Sequence, residues 1–253
     1  YVMTKTMLRK ARQEGYAVGA FNVENMEMVQ AVIQAAEKAE APVILQTTPS
    51  TLGYGTTRLF AGMVRALAEE SAVPVALHLD HGNSFDLAMR ALRDGYTSVM
   101  FDGSQYSFHE NVRLTSEAVA AAQPFGAFVE GEIGRVGGNE DNSQDIVLSY
   151  TNPDEAERFA AVTGVEALAV AIGNAHGVYQ KIPKLDYDIL EKIHQRTNIP
   201  LVLHGGTGTG EQGFRQCIAH GIRKINVATA TLAEVVHKVN DLFSYKEEVG
   251  YYD

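Results

Sequence analysis

The chain has 253 residues, 45% of them hydrophobic, which is enough to bury a full core, and its one cysteine, Cys217, excludes an internal disulfide. Its 21 basic and 31 acidic residues leave a net charge of −10, which repels nucleic acid and anionic membrane surfaces at long range, so an anionic ligand has to be attracted locally. Neither a signal peptide nor an apolar run long enough to span a bilayer is legible, which points to a cytoplasmic protein, and Cys217, in the helical pattern FRQCIAH, is expected to be an inert buried thiol.

From the N-terminus onward, short β-branched runs alternate with amphipathic stretches. Strands are expected over AVGAFN (17–22), PVILQT (42–47), PVALHLD (74–80), SVMFDG (98–103), AFVEGEIG (127–134), ALAVAIGN (167–174), PLVLHGG (200–206) and KINVAT (224–229). Between them, MEMVQAVIQAAEKAE, FDLAMRALRDG and PDEAERFAAVTG carry apolar residues at helical spacing, with Gly or Pro near their ends. Eight such units predict an α/β fold, a (β/α)8 TIM barrel forming one domain over 1–253. A doubly wound open sheet is the alternative, but no GxGxxG follows the first run and no switch point is evident.

In such a barrel, ligands gather where strands end at the C-terminal face. Polar residues stand at those ends: Asn22, Thr47, Thr48, Asp80, His81, Asp102, Glu130, Glu132, Asn174, His176, His204, Asn226 and Thr229. Taken singly, Asp102 and Thr229 read as helix or turn caps. His81, His176 and His204 share that address, and three imidazoles with an open position are the donor set of a catalytic zinc ion. Each alone reads equally as a polar histidine near solvent. Of the others, His109, His194, His220 and His237 fall in helical segments where a solvated role is expected. His78 shares the parity of Asp80 and is expected inside the barrel as a supporting residue.

Asp80 brings a carboxylate beside the proposed metal, where it can exchange a proton with a substrate hydroxyl or merely orient a histidine. Asp102 and Glu132 can form an adjacent metal position, or a hydrogen-bonded polar pair in the mouth. HGGTGTG (204–210) and NVAT (226–229) follow the last two strands, where barrels commonly hold a phosphate on backbone N–H groups. The loop RVGGNEDNSQD carries Glu140 and Asp141 and can act as a lid, or can be a solvated charged loop. Lys224 is read as opening the eighth strand at the opposite face, which argues against a lysine imine.

Together GAFNVEN, LHLDHG, SVMFDGS, EGEIGRVGGNED, AVAIGNAHGVY, LVLHGGTG and KINVAT resemble, in this order, the class II zinc-dependent ketose-bisphosphate aldolases, from about residue 5 to about residue 235. The resemblance implies reversible cleavage of fructose or tagatose 1,6-bisphosphate to dihydroxyacetone phosphate and glyceraldehyde 3-phosphate through a zinc-stabilised enediolate. It implies that His81, His176 and His204 hold Zn2+, that Asp102 and Glu132 form a secondary metal position, and that Asp80 exchanges a proton at the C4 oxygen. It also implies that Glu140 exchanges the carbon proton, and that Gly177, Gly205, Gly206, Thr207, Asn226, Val227, Ala228 and Thr229 contact the phosphate and ketose. A monovalent cation, Na+ or K+, near that phosphate and a homodimer or homotetramer belong to the same expectation. So does a set of further C-terminal helices, which this chain, ending in DLFSYKEEVGYYD, is expected to have short or missing. Another phosphorylated ketose as substrate, or a sugar-phosphate-binding barrel without chemistry, are the alternatives.

Overall fold

The computed structural model of the chain describes residues 1–138, 148–177 and 183–245. Its strands are β1 (Val18–Asn22), β2 (Val43–Thr47), β3 (Val75–Gly82), β4 (Ser98–Phe101), β5 (Phe128–Ile133), β6 (Gly137–Gly138), β7 (Ala167–Val170), β8 (Ala175–His176), β9 (Leu201–Leu203) and β10 (Ile222–Val227). Eight of them close into a barrel in the order β1, β2, β3, β4, β5, β7, β9, β10, every pairing being parallel and β10 returning to β1. The two-residue strands β6 and β8 pair only with each other, above the barrel ends of β5 and β7.

Side-chain alternation divides the strands between two cores. Val43, Leu45, Val75, Leu77, Leu79 and Val99 face outward into a cluster with α2 (Met26–Lys38), α4 (Thr57–Glu70), α5 (Phe85–Asp94) and α6 (Phe108–Ala122). Leu168, Val170, Leu201, Leu203 and Ile222 do the same against α7 (Pro153–Thr163), α8 (Tyr187–Arg196) and α9 (Gly210–Ala219). Facing inward, Val18, Ala20, Ile44, Ala76, Phe128 and Val202 meet Met7, Leu8 and Ala11 of α1 (Thr4–Glu14), which closes the N-terminal end of the barrel. The helices begin where the sequence offers caps: Asn25 accepts from the Met28 amide, Ser84 from Leu87, and Asn152 from Asp154 and Glu155 just before Pro153.

The predicted barrel is present, with shifted ends. The runs expected over 98–103, 167–174 and 200–206 leave the ladder after Phe101, Val170 and Leu203. Their last residues turn into the mouth, where the Ile172 amide donates to Asn174 Oδ1 and the Gly206 amide to the Asn226 carbonyl. Apolar composition alone does not register this loss of pairing. The last strand begins earlier than expected, at Ile222, which pairs with Leu201 of β9, while the Arg223 side chain turns back to donate to the Ile218 and Ile222 carbonyls. Thr229 opens α10 (Thr229–Tyr245) and does not close the strand. Among the described residues, no helix is long and apolar enough to cross a membrane.

Candidate metal centre

Asp80 and His81 are sequence neighbours and would face opposite sides of a regular strand. The β3 to β4 register slips between Leu79 and Gly82, where three steps on β3 match two on β4, and His81 takes φ 47°, the left-handed region. This bulge lets Asp80 keep the inward parity of His78 while His81 swings over the mouth. Asp80 is buried, and both its oxygens are held: Oδ2 accepts from Gln46 Nε2 at 2.9 Å and Oδ1 from Asn226 Nδ2 at 3.0 Å. Gln46 Nε2 also donates to Asn22 Oδ1 at 2.7 Å.

His204 follows β9 and His176 ends β8, and Asn174 links them by donating from Nδ2 to the His204 carbonyl at 3.0 Å. The approach of backbones is close enough to require glycine. A Cβ on Gly205 (φ 63°) would lie 2.1 Å from the Ala175 carbonyl oxygen, and one on Gly138 (φ 89°) 2.2 Å from that of His176. His81 meets the other two imidazoles edge to face, with centroids 5.1 Å from His176 and 4.7 Å from His204, while His176 and His204 are tilted at 5.7 Å. One ring nitrogen from each falls within 4.8 Å of the other two.

Carboxylates fix which nitrogen points inward. His81 Nδ1 lies 2.7 Å from Asp102 Oδ2, leaving Nε2 toward His204 Nδ1 at 2.9 Å. His204 Nε2 lies 2.9 Å from Glu130 Oε1, and Glu130 Oε2 accepts from Lys224 Nζ at 2.8 Å. Burial opposes the charge of Asp102, but the hydrogen bond and charge of His81 and two hydrogen bonds from Ser104 hold the carboxyl well below its usual range. Burial likewise opposes ionisation of Glu130, and the Lys224 ammonium and the hydrogen bond with His204 more than reverse it. His78, fully buried with Nδ1 2.8 Å from Ser98 Oγ, is pushed the other way, mainly by burial and by Lys224, so that it stays neutral. Glu132 Oε2 stands 3.8 Å from His204 Nδ1 and groups with His81 and Asp102 within metal-ligand spacing.

A profile of the family described as fructose-bisphosphate aldolase class-II matches residues 2–253. The chain belongs to the class II fructose-bisphosphate aldolase family. Among solved structures, the YdjI aldolase from Escherichia coli K12 is similar at 36% identity and a TM-score of 0.87, covering 96% of this chain and 88% of that one. A protein assigned as a fructose-1,6-biphosphate aldolase in Coccidioides immitis is similar at 34% identity and a TM-score of 0.89, with coverage of 97% and 86%. The fructose-bisphosphate aldolase of Campylobacter jejuni shares the fold at 24% identity and a TM-score of 0.80, over 95% and 80% of the two chains.

Membership in this aldolase family makes the chain a carbon–carbon lyase by class, and the positions expected from the sequence can be located. His81, His176, His204, Asp80, Asp102 and Glu132 come together at the barrel mouth. Gly205, Gly206 and Thr207 lie against Asn226, Val227, Ala228 and Thr229: the Ala230 amide donates to Thr207 Oγ1 at 3.1 Å, and the Gly206 amide to the Asn226 carbonyl. The amides of Gly206 and Thr209 are thus engaged within the loops, Thr209 with the Gly206 carbonyl. Gly177 takes φ 90° beside His176. Glu140 and Asp141 lie outside the described residues.

Two expectations are corrected. Lys224 does not open its strand at the far face; it is the third residue of β10, fully buried, with its amine inside the barrel on Glu130. His194 and His220 are not simply solvated, since His194 is half-buried against Gly221 and His220 stacks on Tyr187 at 5.6 Å. Sequence reasoning gave no role to Gln46, Glu130 or Lys224. The available signal was parity: Glu130 with Glu132, and Lys224 with Asn226, share the inward face of their strands.

Proposed function

We propose that the protein catalyses reversible aldol cleavage of a ketose 1,6-bisphosphate, fructose or tagatose 1,6-bisphosphate, to dihydroxyacetone phosphate and glyceraldehyde 3-phosphate, with Zn2+ held by His81, His176 and His204. The observation that carries this reading is the convergence of three imidazole nitrogens, from three separate strand ends, within 4.8 Å of one another. A tetrahedral zinc ion at about 2.0–2.1 Å from each nitrogen separates its ligands by about 3.4 Å. The 2.9 Å between His204 Nδ1 and His81 Nε2 and the 4.8 Å limit on the whole set bracket that value. Charge fits as well: with Glu130 offset by Lys224, the carboxyls of Asp80, Asp102 and Glu132 surround the imidazoles with acidity that a divalent cation balances.

When bound, the ion supplies the Lewis acidity that polarises a ketone oxygen. The chain's own groups do the rest. Asp80 gives a proton to the C4 oxygen in the synthetic direction and takes it in cleavage, its oxygens kept in place by Gln46 and Asn226. Glu140 exchanges the proton on the dihydroxyacetone phosphate carbon. Gly177, the Gly205–Thr207 turn and Asn226–Thr229 bind the phosphate and ketose, so that the three-carbon unit presents one face to the aldehyde. Asp102 and Glu132 serve as a secondary metal position, and Na+ or K+ accompanies the phosphate. The unit is residues 1–253, acting as a homodimer or homotetramer in the cytoplasm on sugar phosphates, without a nucleic-acid or membrane partner.

The test is chemical. Chelation is expected to abolish cleavage, added zinc to restore it, and borohydride with substrate to leave it intact; loss of activity to borohydride would count against a metal mechanism and for an imine. A second reading, the same residues acting on another phosphorylated ketose, is supported by the comparable identities to the YdjI aldolase, 36%, and to the assigned fructose-1,6-biphosphate aldolase, 34%. Steady-state rates on both bisphosphates, side by side with other ketose phosphates, separate the two. Unchanged turnover after Asp80 is replaced would assign the proton transfer to a different acid, and no turnover of any ketose phosphate by the native protein would favour a binding protein.

A further inference from the structure

We propose that Lys224 is a positioning residue for the metal centre: its buried ammonium fixes Glu130, and Glu130 in turn holds His204 with Nδ1 facing His81 and His176. The inference rests on the metal reading of the three histidines. Three fully buried groups form the relay, Lys224 Nζ to Glu130 Oε2 at 2.8 Å and Glu130 Oε1 to His204 Nε2 at 2.9 Å. No water-exposed side chain stands in this chain of contacts.

The physical need is specific. A neutral imidazole carries one N–H, and only the nitrogen without it can face a cation. An ionised Glu130 accepts from Nε2 and leaves the Nδ1 lone pair turned toward His81 Nε2, 2.9 Å away. With no acceptor at Nε2, nothing holds the ring proton off Nδ1, the atom that faces His81. Buried among His78, Asp80 and His204, Glu130 would meet a heavy desolvation cost for its charge without a counter-ion. Lys224 supplies that counter-ion. The ammonium sits on Glu130 Oε2, which is 3.6 Å from His78 Nε2, at the edge of the His78, Asp80 and Glu130 group, whose atoms stand within 4.8 Å of one another. An ion pair of this kind is weak evidence for stability, since a well-packed apolar pair is often as stable. Its effect here is orientation.

The experiment measures zinc affinity of the folded protein by competition with a chromophoric chelator, beside thermal unfolding. Lys224→Met is expected to weaken zinc by about 10- to 100-fold, the range for lost outer partners of a metal-bound histidine. The double variant Lys224→Met, Glu130→Gln carries no buried charge, and the Gln carbonyl can still accept from His204 Nε2; it is expected to recover most of the lost affinity. Packing alone would not give this recovery. If Lys224→Met does not fold, Lys224→Gln, which keeps a donor to Glu130 but no charge, takes its place with the same expectation. Zinc affinity unchanged in the single variant, or no better in the double, overturns the proposal even if the melting temperature moves. A native protein that binds no zinc in the same titration overturns the metal reading itself, and the inference with it.

Discussion

Along β3, Ala76 and Asp80 point the same way four residues apart, yet the first packs on the apolar plug of α1 and the second accepts hydrogen bonds from two amides. The same contrast runs around the barrel. Val18, Ile44, Phe128 and Val202 make a lower layer with no polar atom to satisfy, while Asn22, Gln46, Glu130 and His204 stand above them at the same parity in an upper layer tied together by hydrogen bonds. The lower layer contributes free energy of folding through burial. The upper layer contributes little net stability, because each buried charge must first recover its lost hydration, but it fixes directions to fractions of an ångström. Identical backbone geometry thus serves two purposes, separated by one turn of the side-chain pattern.

Substitutions in the two layers should therefore affect different observables. The largest effect is expected from Asp80→Asn, which should lower kcat/KM by about 10²- to 10⁴-fold as a proton-transfer group is lost, with little change in unfolding temperature; steady-state kinetics and calorimetry on one preparation check both. Phe128→Ala should do the reverse, costing about 3–5 kcal/mol in denaturant unfolding while zinc affinity per folded molecule stays near native. A Phe128 variant of native stability but weakened zinc binding would break the proposed division. Asp102→Asn, at the rim, should weaken zinc by about 10- to 100-fold, measured by chelator competition, because His81 loses an ionised partner at 2.7 Å. The smallest effect concerns Cys217, whose thiol burial pushes up to about 12. It should resist alkylation at pH 8 until the protein unfolds, and its contribution should reduce stability only as pH rises above the ordinary thiol range, since the unfolded chain then ionises first.

Much of this arrangement is legible in the sequence, for reasons visible in particular residues. The outward faces of β2 and β3 read as Val43, Leu45, Val75, Leu77 and Leu79, and Gly15, Gly95 and Gly164 end helices in the left-handed region, so alternation and punctuation suffice to count the units. The three histidines are legible because strand ends in a barrel converge whatever their separation along the chain. The bulge at Asp80 and His81 is not, since a non-glycine residue at positive φ has no compositional signature. Neither is the part played by Lys224. A lysine beside an arginine suggests a solvated strand end, and only the position of Glu130 across the barrel turns it inward. The strands end before the expected 103, 174 and 206 for a related reason: residues that serve the mouth keep apolar neighbours after their backbone has left the ladder.

The helix that stoppers the barrel has a consequence for traffic. With Met7, Leu8 and Ala11 seated against the lowest inward side chains, the described residues fill the barrel at that end, and a ligand reaches the histidines from the opposite face.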